Sequence, residues 1–201
     1  MEDIEQTTPQ EESKKTRAQK TVLSYLHDLV FGLVAVLLVF MLVFRVIVVS
    51  GPSMKQTLQN GDCIILLSNV FYREPKCGDI VVISKEAYKD GEPIIKRVIA
   101  KEGQEVDIDF ISGVVSVDGV PLYEPYVNTP TNEFEGVEFP QIVPQGCVFV
   151  LGDNRNSSKD SRSQDIGMID KREILGKALL IALPGADELG KRDYKRIGVL
   201  R

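Results

Sequence analysis

The chemistry that this chain could perform centres on one serine and one lysine. Ser53 lies in a turn-forming segment, Ser50-Gly51-Pro52-Ser53-Met54. It follows four residues after Val49, the last residue of a long apolar run that Arg45 interrupts. A serine nucleophile needs a base to take its proton. The single histidine, His27, lies at the other end of that apolar run. A Ser-His-Asp triad, a Cys-His protease and a zinc site would each need His27 or further histidines, so these classes are excluded.

Lys96 is the best candidate for the base, because it lies inside the apolar segment Ile94-Ile95-Lys96-Arg97-Val98-Ile99. Burial disfavours an ammonium group and lowers the pKa of a lysine, and a neutral amine can accept a serine proton. The spacing alone leaves two alternatives open. Ser53 could belong to an ordinary structural turn, and Lys96 could point to solvent in alternation with Ile95.

A polar loop forms the third candidate element. Residues 152–162 (GDNRNSSKDSR) are all polar or glycine and follow directly on the apolar segment 147–151. A calcium loop is excluded, because Arg155 occupies a position where an oxygen ligand is needed. A solvated turn stays possible. The functional interpretation is a support for the site, with a hydroxyl that orients the lysine and an Asp–Arg pair that holds the loop.

The element before Ser53 is predicted to be a membrane anchor over residues 21–45. Residues 29–44 contain no charge and have no polar face, which argues against a buried helix of a soluble protein. Sixteen helical residues span about 24 Å, and the flanking residues extend this to a hydrocarbon core of about 30 Å. A cleaved signal peptide is disfavoured because the charged leader is long. Residues 1–20 are predicted to be a disordered tail.

Basic residues predict the orientation of the anchor. Four precede the span and two follow it: Lys14, Lys15, Arg17, Lys20, and then Arg45 and Lys55. This bias predicts a single-pass protein of the cell membrane with a cytoplasmic N-terminus and an extracytoplasmic domain. The net charge of −5 argues against a nucleic-acid partner. The three cysteines, Cys63, Cys77 and Cys147, cannot all pair within one chain, and whether any two of them do is left open.

The remaining chain is predicted to be a mostly β domain over residues 46–184. Short runs of β-branched residues recur along this part of the chain, and turn-forming Gly, Pro, Asp and Asn residues separate them. Asp118-Gly119, between two valines, is a two-residue hairpin signal. Residues 174–183 could form a last strand or a short helix. Residues 185–201 are charged and are expected to be a polar tail that packs little.

Taken together, these segments resemble the type I signal peptidases in their single-anchor, Gram-positive-like form. The resemblance covers residues 22–183, and its most specific motif is the loop 152–162. It implies an N-terminal transmembrane helix followed by a mixed, antiparallel β-sheet catalytic domain. It also implies a serine endopeptidase that cleaves signal peptides from secretory preproteins after small-x-small residues, with no metal and no cofactor.

The resemblance also implies a role for individual residues. Ser53 would be the nucleophile and Lys96 the general base, with Ser158 hydrogen-bonded to the lysine amine and Asp160 and Arg162 supporting the loop. Shallow apolar substrate pockets would be formed by Gly51, Pro52, Met54, Ile94 and Ile95.

The sequence departs from the family pattern at two points. It has Met54-Lys55-Gln56-Thr57 where the family has Met-x-Pro-Thr, and Gly51 where some members have a serine that helps to bind the oxyanion. The second oxyanion donor is therefore not identified. Two other classes stay open: a soluble self-cleaving Ser-Lys repressor, and a non-enzymatic membrane-tethered β module or catalytically dead relative. The anchor argues against the repressor, and the intact Ser53, Lys96 and Ser158 argue against the dead relative.

Overall fold

The structure, a computed structural model, describes residues 9–187 and 189–200. Its first element is a 35-residue helix, α1 (Pro9–Val43). The portion Thr21–Val43 is long and apolar enough to cross a membrane, by length and composition. The helix begins at Pro9, within the segment 1–20 that was predicted to be a disordered tail, and residues 1–8 lie outside the described part. Residues 10–20 are mostly good helix formers, and extending an existing helix is easier than starting one.

The β domain begins earlier than predicted, at Phe44. Strand β1 (Phe44–Val48) pairs antiparallel with β2 (Cys63–Ser68), with Phe44 opposite Leu67. The last two residues of the predicted anchor therefore belong to the sheet. The run of β-branched residues that follows Arg45 favours a strand, and the pairing with β2 satisfies its backbone groups.

The main sheet is antiparallel and contains eight strands. Besides β1 and β2 its members are β3 (Ile80–Ile83), β4 (Ile94–Lys101), β9 (Cys147–Leu151), β10 (Ile169–Asp170), β11 (Ile174–Leu183) and β12 (Gly198–Val199). The order is β1-β2-β11-β3-β4-β9-β10, and β12 pairs with β11. Residues 174–183 are thus a strand, which lies between β2 and β3. The predicted mostly β fold is confirmed.

A second sheet contains β5 (Glu105–Asp109), β6 (Val114–Val117), β7 (Val120–Pro121) and β8 (Gln141–Ile142) in the order β7-β6-β5-β8. The Asp118-Gly119 hairpin is confirmed, and both residues have the positive φ that such a turn requires. Short 3-10 turns occur at Lys89–Gly91, Arg155–Ser157, Lys171–Glu173 and Tyr194–Arg196. All three cysteines are free thiols.

The C-terminal segment packs against the domain, contrary to the prediction for residues 185–201. Arg196 donates two hydrogen bonds, of 2.8 and 2.6 Å, to the buried carboxylate of Asp62. The backbone N–H of Gly185 donates to the same carboxylate, and Leu200 packs on the core. Burial alone would raise the pKa of Asp62, but Arg196 and the backbone donors lower it. The charges of this segment are therefore used to neutralise a buried group.

Candidate active site

Ser53 is held by a tight turn at the end of β1. The chain reverses at Gly51, whose φ of 90° favours glycine. Ser53 then opens a helical turn in which Leu58 N donates to Met54 O at 2.8 Å. Met54 is only 1% exposed and packs with Leu58 in the core. Burial of these two side chains fixes the position of the Ser53 hydroxyl.

Lys96 lies in β4 and reaches this hydroxyl. Lys96 is only 3% exposed, and its Nζ atom lies 3.0 Å from Ser53 Oγ and 3.1 Å from Ile95 O. The alternative in which Lys96 points to solvent is therefore wrong. The distance between Nζ and Oγ is that of a hydrogen bond, so a proton can pass between the two atoms.

The polar loop holds the nucleophile turn by backbone contacts. Asn154 N donates to Ser53 O at 3.0 Å, and Asn154 Nδ2 donates to Pro52 O at 3.0 Å. Asp153 N lies 3.5 Å from Met54 Sδ. The loop is thus not a solvated turn, since it is hydrogen-bonded to the Ser53 turn and buries Asp153, Arg155 and Asp160.

A buried ion pair links the strand of the lysine to the turn of the serine. Arg97 donates two hydrogen bonds, of 2.8 and 2.7 Å, to the Asp153 carboxylate, which also accepts the Thr57 hydroxyl at 2.5 Å. The ring of Tyr126 lies 3.9 Å from Arg97 Cζ. Sequence reasoning assigned no role to Arg97 or Asp153. A signal was present, because an arginine inside an apolar strand needs a buried partner.

A second buried ion pair shapes the loop around Ser158. Asp160 and Arg162 form the bidentate pair that their placement in the loop led us to expect, with Nε–Oδ1 at 2.8 Å and Nη2–Oδ2 at 2.9 Å. Arg162 also donates to Ser158 O at 3.1 Å, and Asp160 accepts from Gly152 N at 3.0 Å. Burial disfavours the Arg162 cation, but Asp160 outweighs this and raises its pKa.

Gly152 brings the Ser158 loop close to the nucleophile. A Cβ atom on Gly152 would lie 2.1 Å from Ser158 Oγ and 2.6 Å from Ser53 O. The Ser158 hydroxyl and the backbone carbonyl of Ser53 therefore both pack against Gly152. The orientation of the lysine by Ser158 stays a prediction.

A cleft of about 410 Å³ contains both Ser53 and Lys96. All five predicted pocket residues line it, although Met54 is almost fully buried: Gly51, Pro52, Met54, Ile94 and Ile95. Ile47–Val49 also line the cleft, and sequence reasoning did not assign these residues to the site. Sequence reasoning also missed the polar rim, which includes Tyr88, Glu92, Ser157 and Lys159.

No group of three or more His, Cys, Asp or Glu side chains that could hold a metal ion occurs among residues 9–187 and 189–200.

Glu135 beside the Asp160–Arg162 pair provides a pH test of this environment. Its Oε2 atom is buried and has no hydrogen-bond partner in the described part of the chain. Burial raises the pKa of Glu135, and the charge of Asp160 raises it further. The ionised form is thus penalised in the folded state, and this penalty is complete at a pH above the raised pKa.

We therefore expect Glu135→Gln to increase the melting temperature at pH 8. A gain of about 1 kcal/mol corresponds to roughly 2–4 °C in a domain of this size. The gain should shrink as the pH falls through the raised pKa and disappear below the unfolded pKa of about 4.3, where Glu135 is protonated in both states. The exposed Glu138→Gln is the control. An unchanged or lower melting temperature at pH 8 would contradict the assignment.

Comparison with known proteins identifies the family of the chain. The family model described as "Signal peptidase, peptidase S26" matches residues 22–183. The "Probable signal peptidase I-1" of Synechocystis sp. is 35% identical over 79% of this chain and 81% of its own length. Signal peptidase I of Bacillus licheniformis is 31% identical over 90% of this chain and 99% of its own. A crystal structure of a signal peptidase I from Enterococcus faecalis V583 is 30% identical, with a TM-score of 0.43, and covers 52% of this chain and 96% of that one. Because the family match spans most of the chain and includes every candidate residue, the protein belongs to the signal peptidase family, peptidase S26.

Proposed function

We propose that the protein is a membrane-bound serine endopeptidase in which Ser53 is the nucleophile and Lys96 the general base. The observation that carries this proposal is the 3.0 Å distance between Lys96 Nζ and Ser53 Oγ inside a cleft. Lys96 is almost fully buried, and the proposed mechanism requires it to act as a neutral amine.

The proposed reaction has two halves. Ser53 Oγ attacks the scissile carbonyl while Lys96 takes the hydroxyl proton, and the Ser53 backbone N–H donates to the oxyanion. The lysine returns the proton to the leaving amine, which leaves an acyl-enzyme. Lys96 then removes a proton from a water molecule that attacks the ester, and Ser53 is released with its proton restored. The proposed mechanism uses no metal and no cofactor.

The proposed substrate is the signal peptide of a secretory preprotein. Its extended segment can add as a strand between the end of β1 and the start of β4, where the cleft has exposed backbone edges. The cleft walls carry the apolar side chains of Ile47, Val49 and Ile95 close to the nucleophile. We propose that these walls restrict the cleft to small side chains and so select a small-x-small sequence.

Ser158, Asp160 and Arg162 are proposed to position the base rather than to touch the substrate. Asp160 and Arg162 neutralise each other and hold the backbone on both sides of Ser158. The proposed role of the Ser158 hydroxyl is to orient the lysine amine toward Ser53. The non-enzymatic β module explains none of these contacts.

The proposed location is the cell membrane, with the N-terminus in the cytoplasm and the β domain outside. The helix Thr21–Val43 can span a bilayer, and the basic residues before it favour the cytoplasmic side. Protease added to intact spheroplasts should digest the domain and spare the N-terminal segment, as detected by tags at the two ends. Protection of the domain would contradict this orientation.

Selectivity for small residues tests the function directly. A peptide with alanine at the cleavage position and two residues before it should be cleaved at least about 10²-fold faster than one with leucine at both positions. Each leucine that does not fit the cleft should cost ~1–3 kcal/mol in transition-state binding, and two such costs account for that ratio. The measurement is kcat/KM by mass spectrometry, with Ser53→Ala as the blank and Ser112→Ala, in an exposed hairpin, as the matched control. Equal cleavage of both peptides, or cleavage by Ser53→Ala, would contradict the proposal.

A further inference from the structure

The connection between β7 and β8 lies against the polar loop 152–162. Residues 122–140 are all described, and they form neither a helix nor a strand of either sheet. The connection is nevertheless fixed to the domain, because Leu122 packs on the core and Thr131 N donates to Gly113 O at 3.0 Å. Residues 124–133, which we call the strap, therefore hold an ordered position beside the loop.

A buried ion pair joins the strap to the loop. Arg155 donates two hydrogen bonds to the Glu124 carboxylate, from Nη1 at 2.8 Å and from Nη2 at 2.6 Å. Nη1 also donates to Thr131 Oγ1 at 2.8 Å. The side chain of Arg155 is 1% exposed and that of Glu124 is 12% exposed. Because a buried guanidinium needs a carboxylate partner, Glu124 determines where the head group of Arg155 lies.

The same guanidinium holds the loop next to the nucleophile. Arg155 Nε donates to Gly152 O at 3.1 Å. Gly152 is the residue against which the Ser158 hydroxyl and the Ser53 carbonyl pack. A shift of the Glu124 carboxylate would therefore be passed through one rigid, planar side chain to the glycine between the two serines.

Tyr126 links the strap to the strand of the lysine. Its hydroxyl donates to Glu124 Oε1 at 2.8 Å, and its ring lies over the guanidinium of Arg97, which directly follows Lys96 in β4. A cation over an aromatic face is attracted to it. Burial and the charge of Glu124 raise the pKa of Tyr126, so its hydroxyl stays a donor at the alkaline pH at which an ordinary lysine becomes neutral.

Asn156 joins the strap to the loop a second time. Its side-chain oxygen accepts from Asn132 N and Glu133 N, at 3.2 and 3.3 Å, and its side-chain nitrogen donates to Pro130 O at 3.1 Å. These hydrogen bonds do not involve Glu124. We therefore expect the strap to stay on the loop when the ion pair is altered, so that variants of Glu124 can be assayed as folded proteins.

We propose that Glu124 is a positioning residue for peptide cleavage and acts through Arg155 on Gly152. This inference rests on the proposed function and adds to it a residue outside both the cleft and the polar loop. Neither Glu124 nor Arg155 is among the described residues that line the cleft. Loss of the carboxylate should therefore slow the chemical step and leave the binding of substrate nearly unchanged.

Glu124→Gln tests this role, because it removes the charge and keeps the shape of the side chain. We expect kcat for a small-x-small peptide to fall roughly tenfold or more, since small displacements of catalytic groups are costly. KM should stay within about twofold of the wild-type value. Glu105→Gln, at an exposed position in β5, is the matched control and should cleave normally. A wild-type kcat in folded Glu124→Gln, or a change in KM alone, would overturn the proposal.

A double variant separates positioning from stability. Glu124→Gln leaves the buried Arg155 cation without its carboxylate and should lower the melting temperature, whereas Glu124→Gln with Arg155→Gln removes both charges and should recover most of that loss. The double variant should still cleave as slowly as the single one, because the amide that replaces the guanidinium is too short to keep the hydrogen bond to Gly152 O. Recovery of kcat together with the melting temperature would overturn the positioning role. The double variant also provides the measurement if the single variant does not fold.

The wild type and Ser53→Ala, assayed with the same peptide, separate this inference from the proposed function. If the wild type does not cleave, or if Ser53→Ala does, the proposed function fails and the inference fails with it. If the wild type cleaves, Ser53→Ala does not and Glu124→Gln has the wild-type kcat, only the positioning role of Glu124 is overturned.

Discussion

Lys96→Arg should abolish peptide cleavage although it keeps the positive charge and most of the length of the side chain. A guanidinium stays protonated at any useful pH, so it cannot accept the proton of Ser53. Loss of the base in other serine peptidases costs roughly 10⁴-fold or more in rate. We expect a loss of this size in kcat/KM for a small-x-small peptide.

The matched control lies on the same strand. Lys101, the exposed last residue of β4, can be changed to arginine without contact with the cleft, and Lys101→Arg should cleave normally. Circular dichroism and melting curves verify that both variants fold. An active Lys96→Arg enzyme would remove Lys96 as the base.

The wild-type enzyme should also show the protonation of this base in its pH profile. Only the neutral amine is active, and a lysine with an ordinary pKa is neutral in fewer than about one molecule in a thousand at pH 7. The value of kcat/KM, which reports the free enzyme, should therefore rise with pH from the acidic side. A profile that stays flat between pH 5 and 10 would contradict the assignment.

Gly152→Ala should produce the second large effect. Its new methyl group would lie 2.1 Å from Ser158 Oγ, 2.5 Å from Ser158 Cβ and 2.6 Å from Ser53 O, so rotation of the Ser158 hydroxyl alone could not relieve the overlap. The conflict must therefore move the Ser158 loop, the nucleophile turn or both. A displacement of about 1 Å in a catalytic group can cost ~10²-fold in rate, and we expect at least this loss in kcat/KM.

Gly176→Ala provides the comparison that separates geometry from stability. Gly176 has an equally close neighbour, Leu67 O at 2.2 Å, but lies in β11 outside the cleft. This variant should lower the melting temperature and leave kcat/KM of the folded enzyme nearly unchanged. If Gly152→Ala cleaved like the wild type, Gly152 would not hold the two serines in place.

The sequence was sufficient to select Ser53 and Lys96 as candidates, because few residue types can act as nucleophile and base once the single histidine is excluded. The structure places their side chains 3.0 Å apart, and their catalytic roles stay a prediction. The limits of the elements were predicted less well. The strand β1 could not be separated from the anchor, because a β-branched apolar run suits both a lipid-facing helix and a buried strand. Its pairing with β2 decides the matter, and this pairing is a long-range property.

The supporting ion pairs illustrate a second limit. The pair of Asp160 with Arg162 is close in sequence and could be predicted from one loop. The pair of Arg97 with Asp153 joins residues 56 positions apart. A buried arginine predicts that some carboxylate must lie next to it, but only the pairing of β4 with β9 determines which one. The clamp of Asp62 by Arg196 was missed for the same reason.

The place of β11 in the sheet has a consequence for biosynthesis. The hairpin β1–β2 carries the turn of Ser53, the hairpin β3–β4 carries Lys96, and β11 lies between them. The two hairpins cannot join into one sheet before residues 174–183 have left the ribosome. A partly synthesised chain therefore has Ser53 and Lys96 on separate hairpins, and we expect peptidase activity only after β11 has taken its place between them.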